Sequence, residues 1–93
     1  MSVQVTSIIS YYAILNELGD RQKQVLLALK HIQPANNLML SKCLGLPINS
    51  ITGRMKELRS KGIVIFDSIK SCPYTKESTK FYKIKSYISE VMG

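Results

Sequence analysis

The stretch Leu40-Ser41-Lys42-Cys43-Leu44-Gly45-Leu46-Pro47-Ile48-Asn49-Ser50-Ile51-Thr52-Gly53-Arg54-Met55-Lys56-Glu57-Leu58-Arg59-Ser60-Lys61-Gly62-Ile63-Val64 decides how the chain folds. It carries two apolar stripes at helical spacing, separated at Gly45 and ended at Gly62. Leu38 to Leu44 reads as a short helix. Asn36 and Asn37 form the turn before it, Asn37 is placed to cap it, and Gly45 is placed to stop it in a left-handed conformation. Pro47 fits the first turn of a second helix, where its missing amide hydrogen costs nothing. That helix runs from about Ile48 to Lys61, and its inward stripe is Ile48, Ile51, Met55 and Leu58. Leu40 and Leu44 then pack against Ile51 and Met55, which fixes the crossing of the two helices and leaves the second one projecting.

Upstream, Arg21 to Gln33 reads as a helix with Val25, Leu26, Leu29 and Ile32 on one face, capped by Asp20 and stopped by Pro34. Before it, Ile8, Ile9, Tyr12, Leu15 and Leu18 recur at helical spacing between Thr6 and Leu18, and Gly19 closes that segment. Downstream the period changes. Ile63-Val64-Ile65-Phe66, continued through Ile69, is rich in β-branched and aromatic residues, and Phe81-Tyr82-Lys83-Ile84-Lys85 alternates. The polar run Ser71 to Thr79 joins them as the tip of an antiparallel hairpin. Residues from Ser86 onward read as a short helix with Tyr87, Ile88 and Val91 turned inward.

The chain has 93 residues, 45% of them apolar and 20% charged, which fits one ordinary globular domain and excludes wholesale disorder. No apolar run approaches the roughly 18 residues of a membrane span, and the N-terminus lacks the layout of a signal peptide. The expected location is cytoplasmic, or the host cytoplasm if the chain is viral. Cys43 and Cys72 have no metal-ligand partners at zinc spacing. Cys43 is expected to pack within its short helix, and Cys72-Pro73 to shape the hairpin tip. A Cys43–Cys72 disulfide stays open, although it would join the short helix to that tip across an awkward span. His31 has no acid or cysteine nearby to form a relay. With no Gly-rich phosphate loop, paired carboxylates or nucleophile elbow, the chain reads as no enzyme: no catalytic residue, no metal, no cofactor and no small-molecule substrate.

The charge is informative. Thirteen bases stand against six acids for a net +7, and ten of those bases but only three acids lie between Lys42 and Lys85. The rest of the chain balances. A basic half joined to a neutral half points to a polyanion-binding surface on a separate packing platform, beside the blander reading of a soluble basic protein.

The order of helix, short helix, Gly45-centred turn, longer basic helix and basic hairpin resembles the winged helix-turn-helix domain of MarR-like and small phage-type regulators. There a first helix ends in Leu-Gly, as at Leu44-Gly45, and a recognition helix runs into Leu-x-x-x-Gly-hydrophobic-Val, as at Leu58 to Val64. The match covers about Asp20 to Lys85. It implies an α+β fold, mainly helical with a small β-hairpin: a three-helix core plus a wing at residues 20–85, an extra N-terminal helix within residues 1–19, and a tail at residues 86–93. It also implies a sequence-specific double-stranded-DNA-binding regulator of transcription, with residues 48–61 in the major groove and the basic wing, residues 70–80, on the backbone or minor groove. Replication or partition binding would use the same contacts, and a protein-interaction module is the alternative from another class.

A helix fits the major groove, and the residue types carry the rest. Opposite the inward stripe lie Asn49, Gly53, Lys56 and Ser60, flanked by Ser50, Thr52, Arg54 and Glu57. Asn49 pairs well with adenine and Arg54 with guanine, while Ser50 and Thr52 reach a base or a phosphate. Gly53 costs roughly 0.5–1 kcal/mol in mid-helix. Either it admits close approach to the duplex or it is a tolerated surface glycine. Ile48 either turns inward, its expected role, or meets a thymine methyl at the groove mouth. Asn49, Ser50, Thr52, Gly53 and Arg54 are the expected base-reading set. Asn37, Lys42, Lys56, Lys61, Lys70, Lys76 and Lys80 are the expected phosphate contacts, although any single lysine also reads as a solubilising charge. Terminal helices form the dimer interface in MarR-like proteins, so apolar residues such as Tyr11, Tyr12, Ile14, Leu15, Tyr87, Ile88 and Val91 imply a homodimer and a palindromic operator. Enlargement of a small monomeric core is the other use for them.

Overall fold

The computed structural model describes residue 13 and residues 15–85. Within them, residue 13 and residues 15–17 are helical, and three helices and a hairpin follow: α1 (Asp20–Ile32), α2 (Asn37–Leu44), α3 (Ile48–Ser60), β1 (Val64–Ser71) and β2 (Ser78–Ile84). The N-terminal helix expected from Thr6 falls mostly outside the described residues, as does the helix expected after Ser86. Leu18 is buried and Leu15 packs against the core, so the end of that first segment lies against the domain.

Each element starts and stops for a local reason. α1 begins one residue earlier than Asp20 would cap it. Gly19 takes the cap position, and the Gln22 side chain accepts the Gly19 amide at 2.9 Å. α1 also stops at Ile32, and the Gln33 side chain turns to accept the Ile84 amide of β2 at 2.8 Å. α2 is capped by Asn36 rather than Asn37: Asn36 Oδ1 accepts the Met39 amide at 2.8 Å, with the Asn36 backbone extended as a cap requires. Gly45 ends α2 at φ +67°, where a β-carbon would be strained.

The end of α3 explains the Leu58-x-x-x-Gly62-Ile63 pattern. Gly62 sits at φ +76° and its amide donates to the Arg59 carbonyl at 3.0 Å, while the Ile63 amide donates to the Leu58 carbonyl at 3.1 Å. This is a Schellman closure, with Leu58 and Ile63 both buried as its apolar partners.

Val25, Leu26, Leu29, Leu40, Ile51, Met55, Leu58, Ile63, Val64 and Ile84 form one buried cluster shared by all three helices and the hairpin. Burying a side chain of this size contributes roughly 1.5–3 kcal/mol. Ile48 is an exception to the expected stripe. It is 44% exposed, because it is the first residue of α3 and projects beyond the cluster.

The hairpin pairs Val64 with Ile84 at its base and Ser71 with Ser78 at its tip, and a bulge between Phe66 and Ser68 leaves Asp67 unpaired. The β-branched and aromatic run begins one residue before β1, at Ile63, and the strands run further than expected, to Ser71 and from Ser78. A third short piece joins them. Ala35 exchanges both backbone hydrogen bonds with Tyr82, at 3.0 and 2.8 Å, which ties the α1–α2 connection to the free edge of β2.

Candidate nucleic-acid interface

Burial of Ile51, Met55 and Leu58 turns the opposite side of α3 outward. At 3.6 residues per turn that side carries Asn49, Gly53, Lys56 and Ser60. Asn49, Lys56 and Ser60 are exposed, and Lys56 makes no hydrogen bond, ion pair or ring contact with any described residue. A β-carbon built on Gly53 would meet nothing within 4 Å, so no packing demand inside the chain explains a glycine there. Thr52 is exposed and its hydroxyl donates to the Ile48 carbonyl at 3.0 Å, leaving its acceptor lone pairs outward. Ser50 is half-buried.

Arg54 lies on the flank of α3 that faces α1, not on the bare face. Its Nε donates to Glu57 Oε1 and its Nη2 to Glu57 Oε2, both at 2.8 Å. Gln22 Nε2, on α1, donates to the same Glu57 Oε1 at 2.6 Å. Glu57 is therefore held from two elements. The Arg54 guanidinium, followed by the Gln22 amide, lowers its pKa below the ordinary carboxylate value, and Arg54 is correspondingly held in its charged form. The other flank faces the wing. There the Arg59 guanidinium lies 4.7 Å from the centroid of the Tyr82 ring, whose edge meets Phe66 at 6.5 Å.

The wing is tied to the helices rather than loose. Asn36 Nδ2 donates to Thr79 Oγ1 at 2.8 Å, so the residue that caps α2 also holds the start of β2. The tip closes on itself, with the Cys72 amide on the Glu77 carbonyl and the Lys76 amide on the Cys72 carbonyl, both at 2.8 Å. Cys72 is buried, and its thiol pKa is lowered to about 7 by the Thr75 amide first and then by the Asn36 side chain. The thiol thus takes the place an Asx or Ser oxygen takes in an ordinary turn. Cys43, expected inside, is exposed on the outer side of α2, and both thiols are free.

The structure sorts the expected phosphate contacts. Lys56, Lys61, Lys76 and Lys80 are exposed. Lys42 and Lys70 are also exposed but lie over aromatic rings, Lys42 5.5 Å from the Tyr74 centroid and Lys70 5.9 Å from that of Phe81. Asn37 is half-buried, and its Oδ1 is enclosed without a hydrogen-bond partner among the described residues. Lys83 reaches Asp67 at 3.7 Å. Asp67 itself is held below the ordinary carboxylate value, first by the Ser68 hydroxyl. His31 is exposed on α1.

Sequence reasoning left Gln22, Asn36, Arg59 and Tyr82 without roles at this surface. Spacing along one helix finds Arg54 and Glu57 as neighbours three apart. Partners 35 or 43 residues away, as in Gln22–Glu57 and Asn36–Thr79, leave no local signal.

No family model matches the chain, and no curated protein matches it. Among solved structures, the crystal structure of a MarR family transcription regulator shares the fold with a TM-score of 0.61 and 16% identity, covering 85% of this chain and 52% of that one. The chain spans about half the length of that regulator. The described residues form a winged helix-turn-helix domain, α+β in class: α2 and α3 are its helix-turn-helix and the β1–β2 hairpin is its wing. No helix among them is long and apolar enough to cross a membrane. Among them no group of His, Cys, Asp and Glu is placed to hold a metal ion.

Proposed function

We propose that this chain is a sequence-specific double-stranded-DNA-binding regulator of transcription, with α3 seated in the major groove and the wing lying on the backbone. The observation that carries this reading is the outward face of α3. Asn49 and Lys56 stand exposed on it, a β-carbon at Gly53 would meet nothing within 4 Å, and the wing carries exposed Lys76 and Lys80. A bare glycine between an amide and an ammonium on a projecting helix suits close approach to base edges. Asn49, Ser50, Thr52, Gly53 and Arg54 read bases. Lys56, Lys61, Lys76 and Lys80 hold phosphates, with Asn37, Lys42 and Lys70 in supporting positions. The reading includes a homodimer through residues 1–19 and 86–93, which would set two α3 helices about one DNA turn apart. It also includes a cytoplasmic location and no catalytic activity.

Selection of duplexes from a randomised pool, followed by a salt titration of the best one, tests it. Recovery of an inverted repeat supports both base reading and the dimer. A chain that binds all sequences alike, or none, refutes it. In the selected duplex, Arg54→Ala relaxes choice at one position by roughly 1–3 kcal/mol and leaves the other positions as they were. A second reading, a protein-interaction module, has in its favour two apolar side chains open on β1, Phe66 at 51% and Ile69 at 63% exposure. It predicts weak duplex binding without preference.

A further inference from the structure

We propose that Glu57 is a positioning residue that sets the base choice of Arg54, by holding its guanidinium side-on so that only one bidentate edge of it remains to meet a base. The proposal rests on the DNA-binding reading above and adds a mechanism for selectivity to it. A guanidinium has five N–H donors, which form two bidentate edges sharing Nη2. The Nε/Nη2 edge is fully used on the two oxygens of Glu57, at 2.8 Å each. Nη1 and the second hydrogen of Nη2, which form the other edge, make no bond to any described residue. It presents two parallel donors, the pattern that meets guanine O6 and N7 in the major groove.

The pair is more than a surface ion pair. An exposed pair three residues apart on one helix would by itself be mobile, and the Arg54 and Glu57 side chains are 36% and 42% exposed. Glu57, however, is also bonded by Gln22 from α1, so the carboxylate has a fixed position against the body of the domain. Gln22 is fixed in turn, because its Oε1 accepts the Gly19 amide at the start of α1. The chain Gly19–Gln22–Glu57–Arg54 thus runs from the first turn of α1 to the flank of α3.

Two consequences follow for a duplex. Arg54 offers one orientation rather than many, which favours a bidentate partner over a single phosphate oxygen. Paired with Glu57 it is also nearly neutral as seen from the backbone, so it adds little to sequence-independent attraction. An unpaired arginine in the same place would bind tighter and choose less. Glu57 accordingly gives up general affinity for discrimination, a repulsive element of the kind that specific interfaces need.

The test compares the full chain with Glu57→Gln and Gln22→Glu, using duplex selection and a salt titration on both the selected duplex and a random-sequence duplex. Gln22→Glu keeps an oxygen for the Gly19 amide, the arrangement of a capping box, but replaces the donor to Glu57 with a like charge. Thermal unfolding and circular dichroism of each variant report that it is folded. In Glu57→Gln, random-duplex binding becomes tighter with a steeper salt dependence. Preference at a single G·C position then falls by roughly five- to a hundredfold, the range a bidentate contact supplies, while the other positions keep theirs. Gln22→Glu relaxes the same position to a smaller extent, although it lies off the bare face of α3. A merely structural role would weaken all positions together and would not tighten random binding. Selection of the same motif with the same strictness by all three proteins overturns the proposal while leaving the DNA-binding reading intact. Failure of the unaltered chain to enrich any duplex overturns both. If Glu57→Gln does not fold, an unchanged motif with Gln22→Glu still overturns it.

Discussion

Asn36 joins the helix-turn-helix to the wing, so its removal should cost more than a helix cap alone. The residue is 4% exposed, and its side chain makes two hydrogen bonds to different elements, one to the Met39 amide and one to Thr79 Oγ1, each at 2.8 Å, besides facing the Cys72 thiol. Loss of an N-cap costs about 1 kcal/mol, and loss of an ordinary side-chain hydrogen bond about another 1. The hydroxyl left without its donor and the space left behind add a fraction more, so Asn36→Ala should destabilise by roughly 2–3 kcal/mol. In a domain of this size that is roughly 10–20 °C in Tm. Asn36→Ser keeps a capping oxygen but is too short to reach Thr79, and should cost about 1 kcal/mol. Urea unfolding of Asn36→Ala, Asn36→Ser, Thr79→Ala and the Asn36→Ser/Thr79→Ala pair measures each, with midpoints shifting at constant slope. In the double variant the second change should add little, because the bond is already gone. A cost under about 1 kcal/mol for Asn36→Ala, or one no greater than that of Asn36→Ser, would refute the double role of this side chain.

Two further predictions concern pH. Glu57 has a pKa below its ordinary 4.5 because Arg54 and Gln22 bond its charged form, so that contribution to stability is complete above about 4.5 and fades as pH falls through the lowered value. Acid unfolding of Glu57→Gln should lack this part of the pH dependence, and curves that superimpose with those of the unaltered chain would refute it. Cys72, with a folded pKa of about 7 against an ordinary 9.0, has the same sign of effect in a higher window. Stability should rise between about 7 and 9 as the unfolded thiol holds a proton that the folded one has lost. In a Cys43→Ser background, the ultraviolet absorbance of the thiolate should titrate near 7 in the folded chain, and Cys72→Ser should abolish both that step and the stability rise.

The backbone plan was legible because its signals are local. Gly45 and Gly62 both occupy the left-handed region, at φ +67° and +76°, and each is followed by an apolar residue that returns to the core. Periodicity found Ile51, Met55 and Leu58 for the same reason. Errors of one residue, Asp20 for Gly19 and Asn37 for Asn36, came from two adjacent residues each able to cap. Tertiary contacts decide such ties: Asn36 wins because its amide also finds Thr79, which no helix-local rule contains. Ile48 and Cys43 were misplaced inward because helical spacing gives the direction of a side chain but not where the neighbouring elements end. The site was legible as a set of residue types and much less as an arrangement. The arginine proposed to read a base is bonded to a residue of its own helix, and that residue to another helix, so the chemical state of Arg54 depends on Gln22, 32 positions away in the chain.

The same pairing limits what the net charge of +7 says about binding strength. Counterion release counts only cations that reach phosphates, at a slope of about 0.9 in log K per log salt for each. Seven free contacts would give a slope of about −6. Arg54 is paired with Glu57, Lys83 faces Asp67, and Lys42, Arg59 and Lys70 lie over the rings of Tyr74, Tyr82 and Phe81. The cations left at the α3 face and the wing tip are Lys56, Lys76 and Lys80, with Lys61 at the end of α3 beside Glu57. One domain should therefore show a slope of about −3 to −4 on any duplex. Lys76 allows a clean check, because its φ of +66° strains any residue with a β-carbon. Lys76→Gly removes the charge and the strain together, so it should raise stability while lowering the slope by about 1 for selected and random duplexes alike. A slope near −6 for the unaltered domain would mean that Lys42 and Lys70 bind phosphates as fully as the other lysines do, and a slope unchanged in Lys76→Gly would mean that the wing tip does not meet the backbone.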